Sequence, residues 1–438
     1  CVMVEHNVEA AGTSGVEPLD ASAAQALAVD GVVPRFVAAP GSIDELGAVL
    51  RTAAEQDWAV SPRGAGTKMG LGNPPRALDL VLDLRGLRGL VDYTAADMTV
   101  TVRAGTRLAD LQAELAVHGQ MLALDPPFAE EATIGGILAT NDSGPRRLGY
   151  GTARDLVIGT RVVGMDGRVT KAGGKVVKNV TGYDLNKLYI GSLGTLAVLA
   201  EVSFRLHPLP ALARTVWAAF PSAGTAMDAV LRLTRSPLGP VAIMLNDLRG
   251  SDMSAGEGRP LRLHIEFTGT PAALARKTDD AQRYCRDAGA AETAVLDEGG
   301  AAAWTGMREH PRALGTPEGL RLKVAVPVTA VASMLDLVQE RARAADLRCW
   351  AIAFAGNGII YVYLDGGTPA PYLSIVHELR GRAMAGGGSL VIQECPPPLK
   401  SLVDVWGEPP SGFGVMKSLK ATYDPGHHLN PGRYIGGL

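Results

Sequence analysis

Cysteine is scarce in this sequence and scattered along it. The four cysteines among 438 residues are Cys1, Cys285, Cys349 and Cys395, and no two of them form a C-x-x-C pair. Zinc ribbons and iron–sulfur clusters need clustered thiolate ligands, and disulfide frameworks need regular cysteine spacings. We therefore expect reduced thiols, a reducing cytosolic compartment and no metal or iron–sulfur site in this chain.

The sequence also lacks the features of membrane, secreted and nucleic-acid-binding proteins. It has no apolar run of about 18 residues or more, which a membrane span requires, and no signal-like start with a charged segment before an apolar one. The formal net charge is -3, so there is no basic surplus for binding phosphate backbones. We expect a cytoplasmic protein of two or three domains, without a transmembrane segment or a nucleic-acid partner.

Two common nucleotide-binding motifs are missing as well. Gly64, Gly66 and Gly70 follow the spacing G-x-G-x-x-x-G, and an Asn-Pro-Pro run at 73–75 stands where the helix of an NAD-binding unit would begin. No G-x-x-x-x-G-K-[ST] run occurs anywhere. These absences exclude the dinucleotide fingerprint of NAD-binding units and the phosphate loop of ATP- and GTP-binding proteins.

Glycine, by contrast, is abundant, with 53 residues, and many of them fall in loops. The loop at 62–67 (Pro-Arg-Gly-Ala-Gly-Thr) follows a predicted strand and offers backbone N–H groups, a hydroxyl and a permanent cation, which suit a diphosphate. A tight turn with an exposed arginine would have the same sequence. Further loops at 132–136, 140–144, 149–151 and 191–195 are either separate turns or the wall of one extended cofactor slot.

The order of elements changes after His207–Pro210 and then repeats. Each of two blocks reads strand, helix, strand, strand, helix, strand, which is the split-βαβ arrangement. We expect an N-terminal arm over 1–30, a first domain over 31–210, a second over 211–400 and a C-terminal segment, 401–438, that returns to the first domain. The predicted elements of the two blocks are 213–220, 222–235, 240–246, 261–268, 271–288 and 292–296, then 321–326, 329–345, 348–354, 359–364, 371–385 and 389–393.

Taken together, the loops resemble the FAD-binding domain of the vanillyl-alcohol oxidase/p-cresol methylhydroxylase (PCMH-type) flavoproteins. The resemblance spans roughly 35–210 and the tail, and within the family it is strongest to the FAD-binding E subunits of bacterial glycolate oxidases. It implies an α+β fold, with an FAD-binding domain of two α/β subdomains and a cap of two split-βαβ (ferredoxin-like) units. The segments that carry it are 62–67, 102–105, 132–136, 149–151, 155–159, 181–185, 194–196 and 429–433.

The resemblance also implies which residues contact FAD. The diphosphate would lie on the first glycine loop, the ribityl chain and flavin on 133–136 and 140–144, and the adenine beside Ile158 and Val198. Some relatives tether FAD through a histidine in the first loop, where this chain has Thr67 and Lys68, so we expect noncovalent FAD. The expected contacts are Pro62, Arg63, Gly64, Ala65, Gly66, Thr67, Pro126, Thr133, Ile134, Gly135, Gly136, Thr140, Ser143, Gly144, Tyr150, Gly151, Asp155, Ile158, Val198 and Asn430.

The second domain departs from the metal-dependent D-2-hydroxy acid dehydrogenases that the resemblance also includes. In those proteins two histidines and a glutamate bind a divalent ion in the cap. Here the histidine positions hold Ile352 and Ile359, and Cys395 replaces a histidine after Glu394. One carboxylate does not make a catalytic zinc site, which needs three protein ligands, so we expect no metal.

Part of the substrate site is expected to remain. Arg308 and Arg321 align with basic substrate-binding positions of these relatives, and bidentate arginine suits a carboxylate. Alternatively, both are solvated cap arginines and Glu394 is a surface carboxylate. We count these three as the candidate catalytic residues.

Three functions remain open at this stage. The leading one is an FAD-carrying subunit of a complex that oxidises glycolate or D-lactate, in the cytoplasm or at the inner membrane through the complex. A catalytic FAD-binding sibling and an iron–sulfur subunit would then be its partners. The others are a self-sufficient, metal-independent FAD oxidoreductase acting on a hydroxy acid or alcohol, and a structural paralogue with a vestigial flavin slot.

Overall fold

The computed structural model describes residues 15–174, 183–250, 261–296, 300–316 and 318–438. Within these ranges no helix has the length and hydropathy required to span a membrane. Two residues of the motif at 181–185, namely 181 and 182, lie outside the described residues. The elements up to residue 208 are β1 (Val16–Pro18), α1 (Ala21–Ala26), β2 (Phe36–Ala38), α2 (Ile43–Glu55), β3 (Val60–Arg63), β4 (Leu80–Asp83), β5 (Leu90–Thr94), β6 (Thr99–Arg103), α3 (Leu108–Ala116), β7 (Gln120–Met121), α4 (Ile134–Thr140), α5 (Arg147–Tyr150), α6 (Ala153–Leu156), β8 (Val157–Val163), β9 (Val169–Gly173), α7 (Asn186–Tyr189), β10 (Val198–Arg205) and β11 (His207–Pro208).

These elements form two main sheets that share a core. The first has the order β1-β2-β4-β3, with β2, β4 and β3 parallel. The second has the order β5-β6-β10-β8-β9 and is antiparallel. Val163 of β8 and Val198 of β10 are buried in the same apolar cluster as Leu80 of β4 and Leu46 of α2. The two α/β subdomains therefore pack against each other.

The start of the described chain is part of the first sheet, which corrects the expectation of a separate arm over 1–30. β1 pairs antiparallel with β2, with Val16 opposite Ala38. Helix α1 follows at once, and the Asp20 carboxylate accepts a hydrogen bond from the Ala23 N–H at 2.8 Å, which caps the helix. Residues 1–14 lie outside the described residues.

The second half of the chain builds one continuous antiparallel sheet of eight strands. Its elements are β12 (Leu212–Phe220), α8 (Ala223–Arg235), β13 (Ala242–Gly250), β14 (Leu261–Gly269), α9 (Pro271–Asp287), β15 (Glu292–Leu296), α10 (Gly300–Arg308), α11 (His310–Leu314), β16 (Leu320–Ala325), α12 (Val331–Ala344), β17 (Arg348–Phe354), β18 (Ile359–Asp365), α13 (Pro369–Ala385), β19 (Ser389–Glu394), α14 (Pro397–Lys400) and α15 (Phe413–Tyr423). The strand order is β15-β12-β14-β13-β17-β18-β16-β19. Both predicted β-α-β-β-α-β blocks are confirmed, and β13 joins β17 to unite them. Two helices between the blocks, α10 and α11, were not predicted.

The two faces of this sheet are covered differently. On β18 the alternating residues Ile360 and Val362 belong to the large apolar core that also holds residues of α8, α9, α12 and α13. Their neighbours Ile359, Tyr361 and Tyr363 point to the other face, where a smaller cluster lies. Four helices thus cover one face, and the opposite face is left for the first domain and for α10.

The C-terminal segment packs back onto the first domain. The Asn430 N–H donates to the Val60 carbonyl at 2.9 Å, and the Asn430 side chain contacts Ser61 and Leu193. In α15 the Lys420 ammonium is buried and donates to the Thr195 and Leu429 carbonyls and to Asp424, at 2.6 to 2.9 Å. Burial lowers the pKa of Lys420 and the charge of Asp424 opposes that shift. One lysine therefore attaches the tail to the loop before β10.

Replacing this lysine should destabilise the protein. Lys420→Met leaves the fully buried Asp424 carboxylate without its cation, which costs about 3–5 kcal/mol when one partner of a buried pair is removed. Urea unfolding should show a lower midpoint for this variant. Lys417→Met, on an exposed position of the same helix, is the matched control and should unfold close to wild type. Equal urea midpoints for the two variants would contradict the stabilising role of the buried Lys420–Asp424 pair.

Candidate functional site

A cleft runs along the first glycine loop, at the carboxyl end of the parallel strand β3, where ligands commonly bind in open α/β sheets. It consists of two adjoining spaces of about 640 and 410 Å³. The two spaces share Pro62, Gly64, Thr133, Gly136 and Ala139 as lining residues, so they form one continuous cleft. We call it the glycine cleft.

Two glycines of the loop are required by close contacts. A Cβ at Gly64 would lie 2.0 Å from the Thr133 hydroxyl oxygen, so no larger residue fits without moving one wall of the cleft. Gly66 has a φ of +80°, and a Cβ there would lie 2.7 Å from Nε of Arg63. The Arg63 guanidinium therefore lies against the loop itself. The first glycine loop therefore packs directly against Thr133, and the two segments together form one wall of the cleft.

Many of the expected FAD contacts line this cleft. The first space is lined by Pro62, Gly64, Ala65, Gly66, Thr67, Thr133, Gly136, Thr140 and Asn430, and the second adds Arg63, Gly135 and Val198. Asn430 reaches it from the tail, which explains why a residue so distant in sequence belongs to the same site. The structure therefore brings twelve of the expected residues together around one slot.

The other expected contacts do not line either space. Pro126, Ile134, Ser143 and Gly144 are buried beside the cleft, and Asp155 instead caps α6 by accepting from the Thr152 N–H at 2.8 Å. The Tyr150 ring packs edge-on against His207, with centroids 5.2 Å apart. Ile158 accepts a hydrogen bond from the Gly174 N–H, at the end of a described range. Gly151, at a φ of +83°, sits against Asp155.

The candidate catalytic arginines already hold carboxylates of this chain. Arg321 is buried and its Nη2 lies 3.1 Å from Oε2 of Glu394, whose side chain is 53% exposed. Nε of Arg308 lies 3.3 Å from Oε1 of Glu309. The structure therefore places each arginine in an ion pair, and Arg321 and Glu394 are partners of one another.

A set of charged residues that the sequence analysis missed lies where the second domain meets the cleft. Lys68 and Asp142 line the first space and form an ion pair of 2.8 Å. Lys323 lies on β16 opposite Tyr361 of β18, on the sheet face free of the four helices, with its ammonium 5.9 Å from the centre of the Tyr361 ring. Arg147 and Arg321 act electrostatically on the same groups. We call the whole set the interdomain cluster, and its members are Lys68, Asp142, Arg147, Arg321, Lys323 and Tyr361.

The pKa values in this cluster reflect burial and a surplus of positive charge. Burial alone would raise the pKa of Asp142, but the charges of Lys68, Lys323 and Arg321 hold it below the usual range. Burial lowers the pKa of Lys323, against the attraction of Asp142. In β16 the charged residues Arg321 and Lys323 alternate with apolar ones, and this pattern could have indicated that one face of the strand is charged. Lys68 and Asp142 stand next to the glycine motifs, but nothing in the sequence shows that they meet.

His310, in α11, is a second residue that sequence reasoning missed. It is buried, its Nδ1 hydrogen-bonds to the Tyr363 hydroxyl, and its ring centroid is 4.8 Å from that of Tyr361. Burial and the charges of Lys68 and Arg321 lower its pKa to about 3, so the imidazole is neutral at physiological pH. Its partner Tyr363 lies opposite Arg321 in the sheet. No periodicity or motif in the sequence marks this histidine.

The positions of the relatives' metal ligands are apolar in this fold. Ile352 and Ile359 are buried in one cluster with Phe354 and Tyr361. Cys395 is also buried, and burial raises its thiol pKa to about 11, which disfavours a thiolate ligand. Across the part of the chain that the structure describes, no three His, Cys, Asp or Glu side chains are grouped to hold a metal ion.

An ion pair between a partly exposed arginine and a buried glutamate joins the two domains beside the cleft. Arg146 binds Glu266 of β14 through two bonds of 2.7 and 2.8 Å, and its backbone N–H donates to Asp125 at 2.9 Å. Burial raises the pKa of Asp125 to about 7, although Arg146 opposes that shift. The Gly149 N–H also donates to the Val241 carbonyl at 3.1 Å, so segment 145–150 docks on the second domain.

The comparisons with known proteins agree with this geometry. A family model described as "FAD binding domain" matches residues 34–173, and one described as "FAD linked oxidases, C-terminal domain" matches residues 209–392. Together the matches cover most of the chain. The protein is therefore an FAD-linked oxidoreductase, with the FAD-binding domain first and the C-terminal domain of the FAD-linked oxidases second.

More specific relatives fall among enzymes named for hydroxy acids. The chain is 28% identical to glycolate oxidase subunit GlcD of Bacillus subtilis (strain 168) over 417 residues, which cover 92% of this chain and 89% of that one. It is 28% identical to a D-lactate dehydrogenase of Archaeoglobus fulgidus over 423 residues, 91% of each chain. Glycolate oxidase subunit GlcE of Escherichia coli (strain K12) is 44% identical, but over 149 residues, 34% of this chain and 42% of GlcE.

Solved structures confirm the fold class. 4-Ethylphenol oxidase from Gulosibacter chungangensis superposes with a TM-score of 0.75 at 14% identity, covering 96% of this chain and 94% of that one. p-Cresol methylhydroxylase gives 0.74 at 15% identity, covering 92% and 89%. At these identities the likeness establishes the PCMH-type fold and nothing about substrates.

The contact between Gly64 and Thr133 yields a direct test of the cleft. Gly64→Ala should push the two segments apart and lower the ratio of flavin to protein after purification at least several-fold. Gly70→Ala is a matched control, because a Cβ at Gly70 meets nothing within 4 Å. Visible absorbance of the purified variants measures the ratio. Full flavin content in Gly64→Ala would place the cofactor elsewhere.

The raised pKa of Asp125 predicts a pH dependence of stability. Between the ordinary value of 3.8 and the folded value of about 7, the folded chain keeps a proton that the unfolded chain has lost. Stability should therefore fall as pH rises through this window, by at most about 1.4 kcal/mol per pH unit from this group, and stay level above it. Asp125→Asn should remove that component in urea unfolding. Parallel pH profiles for wild type and variant would contradict the prediction.

Proposed function

We propose that the chain is an FAD-carrying subunit of a larger complex that oxidises 2-hydroxy acids of the glycolate or D-lactate type. The observation that carries the proposal is that Lys68 and Asp142 line the same space as the glycine loop. A ligand against the flavin end of the cleft would thus meet the interdomain cluster. The similarity to a glycolate oxidase subunit and to a D-lactate dehydrogenase supports this substrate class.

The residues present supply what such an oxidation needs from the protein. Bound FAD would supply the acceptor for the hydride of the substrate carbon. Cations of the interdomain cluster would hold the carboxylate, and Asp142, ionised at neutral pH, is our candidate acceptor for the hydroxyl proton. We propose that Arg321 contributes its charge while paired with Glu394, and that Arg308 orders the segment around Glu309. No metal is needed in this scheme.

We further propose a complex, in keeping with the GlcD and GlcE likenesses. The partners would be a catalytic FAD-binding sibling and an iron–sulfur subunit, and the complex would lie in the cytoplasm or on the inner membrane. Replacement of the metal ligands by Ile352 and Ile359 supports a division of labour with a sibling. We keep 31–210, 211–400 and 401–438 as the proposed domain limits.

A self-sufficient oxidoreductase is the second candidate. It is favoured by the complete interdomain cluster, because a subunit that only carries a cofactor has no need for a buried cationic site next to it. Both candidates predict noncovalent FAD, since Thr67 and Lys68 occupy the tethering position of some relatives.

The visible spectrum of the chain purified alone separates these candidates. We expect flavin bands, and acid precipitation should release the flavin into the supernatant because no covalent bond holds it. Under anaerobic conditions with glycolate or D-lactate, the bands should persist for the isolated subunit and bleach when its partner subunits are added. Bleaching of the isolated chain would establish the self-sufficient enzyme instead.

Two results would contradict both candidates. Failure of the protein to take up FAD on reconstitution would rule out FAD as its cofactor. Flavin that neither glycolate nor D-lactate reduces, with or without the partner subunits, would rule out the proposed substrate class.

A further inference from the structure

An aromatic residue with a left-handed backbone conformation lies beside the glycine cleft. Phe128, in the turn between β7 and α4, has a φ of +59°, which strains a residue with a bulky side chain. The Glu131 and Ala132 N–H groups donate to the Phe128 carbonyl at 3.0 and 2.8 Å and close the turn. Strain of this kind persists only where surrounding contacts hold the residue, and it concentrates in functional segments.

The second domain supplies contacts that hold this turn. Oε2 of Glu309, the residue directly before α11, accepts a hydrogen bond of 3.0 Å from the Phe128 N–H. Nη2 of Arg312 lies 2.9 Å from Oε1 of Glu131, but both of these side chains are about half exposed, so water weakens their attraction. The Glu309 side chain is only 21% exposed. A carboxylate of the second domain is therefore the stronger of the two supports of the strained turn.

The Phe128 ring lies over a cation of the cleft. Its centroid is 5.5 Å from Nζ of Lys68, within the range of a cation–π contact. Lys68 and Asp142 form their ion pair of 2.8 Å in the first space of the cleft. Pro127, the chain neighbour of Phe128, lines the same space. Direct contacts therefore lead from Glu309 through Phe128 to the Lys68–Asp142 pair.

We propose that Glu309 is a positioning residue that acts through Phe128 on Lys68. By holding the strained backbone of Phe128, the Glu309 carboxylate keeps the aromatic ring over the Lys68 ammonium. The ammonium is thereby fixed beside Asp142. The inference rests on the proposed function, in which Asp142 accepts the hydroxyl proton, and makes it more specific. Glu309 is not among the residues that line either space of the cleft, so its effect on the reaction is indirect.

The reactivity of the Lys68 amine measures this positioning without a substrate. Brief treatment of the full chain with acetic anhydride, followed by mass spectrometry of its peptides, gives the acetylation rate of each lysine. The measurement is made with FAD bound and again after its removal. We expect slow acetylation of Lys68 in wild type, because the amine is paired with Asp142 and covered by Phe128. In Glu309→Ala the rate at Lys68 should rise several-fold.

Matched variants separate the contribution of each contact. Glu309→Gln keeps an oxygen that accepts the Phe128 N–H, so Lys68 should react about as slowly as in wild type. Phe128→Leu removes the ring and should speed acetylation of Lys68 as Glu309→Ala does. Glu340→Ala, which removes an exposed carboxylate of α12, should leave the rate at Lys68 unchanged.

The buried amines of Lys400 and Lys420 are the internal control, because a general loosening of the fold would expose them as well. A rise in acetylation that they share with Lys68 would overturn the inference. An unchanged Lys68 rate in Glu309→Ala in both forms of the protein, or fast acetylation of Lys68 in Glu309→Gln, would overturn it too.

Failure of the proposed function looks different. Glycolate and D-lactate would then leave the flavin of the complex oxidised with wild type and variants alike, while acetylation of Lys68 still followed Glu309. In a complex that does oxidise one of these acids, the rate at saturating substrate should fall several-fold in Glu309→Ala and recover in Glu309→Gln. An unchanged rate in Glu309→Ala would overturn the positioning role in the reaction.

Discussion

The structure depends on an eight-stranded sheet that has helices on one face only. The uncovered face must be shielded by something else, and the FAD-binding domain supplies that cover through segment 145–150 and the Arg146–Glu266 pair. Lys323 of β16 and Tyr361 of β18 lie opposite each other on this uncovered face. The site therefore forms where the uncovered face of this sheet packs against the FAD-binding domain.

In our proposal the chemistry of the site rests on charged side chains rather than on a metal ion. Ile352 and Ile359 are buried in one apolar cluster. Lys68 and Asp142, by contrast, place charged groups in the first space of the glycine cleft.

Much of the fold was predictable because it rests on local patterns. Strands β14 and β16 alternate apolar and polar residues with period two, and Thr270 followed by Pro271 marks the start of α9. The glycine loops were recognisable because Gly64 and Gly66 are required by contacts and by backbone conformation. These signals fixed both β-α-β-β-α-β blocks and twelve residues of the cleft.

What could not be predicted depends on contacts between distant segments. Nothing local shows that β13 pairs with β17, that Lys68 pairs with Asp142, or that His310 meets Tyr363. Arg308 and Arg321 looked available for substrate because the sequence does not reveal their partners Glu309 and Glu394. The net charge of the site could be assessed only once the ion-pair partner of each charged residue was known.

The central claim is that FAD lies in the glycine cleft. The most direct measurement is a crystal structure of the protein with FAD bound. We predict FAD density along the cleft that the 62–67 loop and segment 133–136 line. Flavin density outside that cleft would contradict the account.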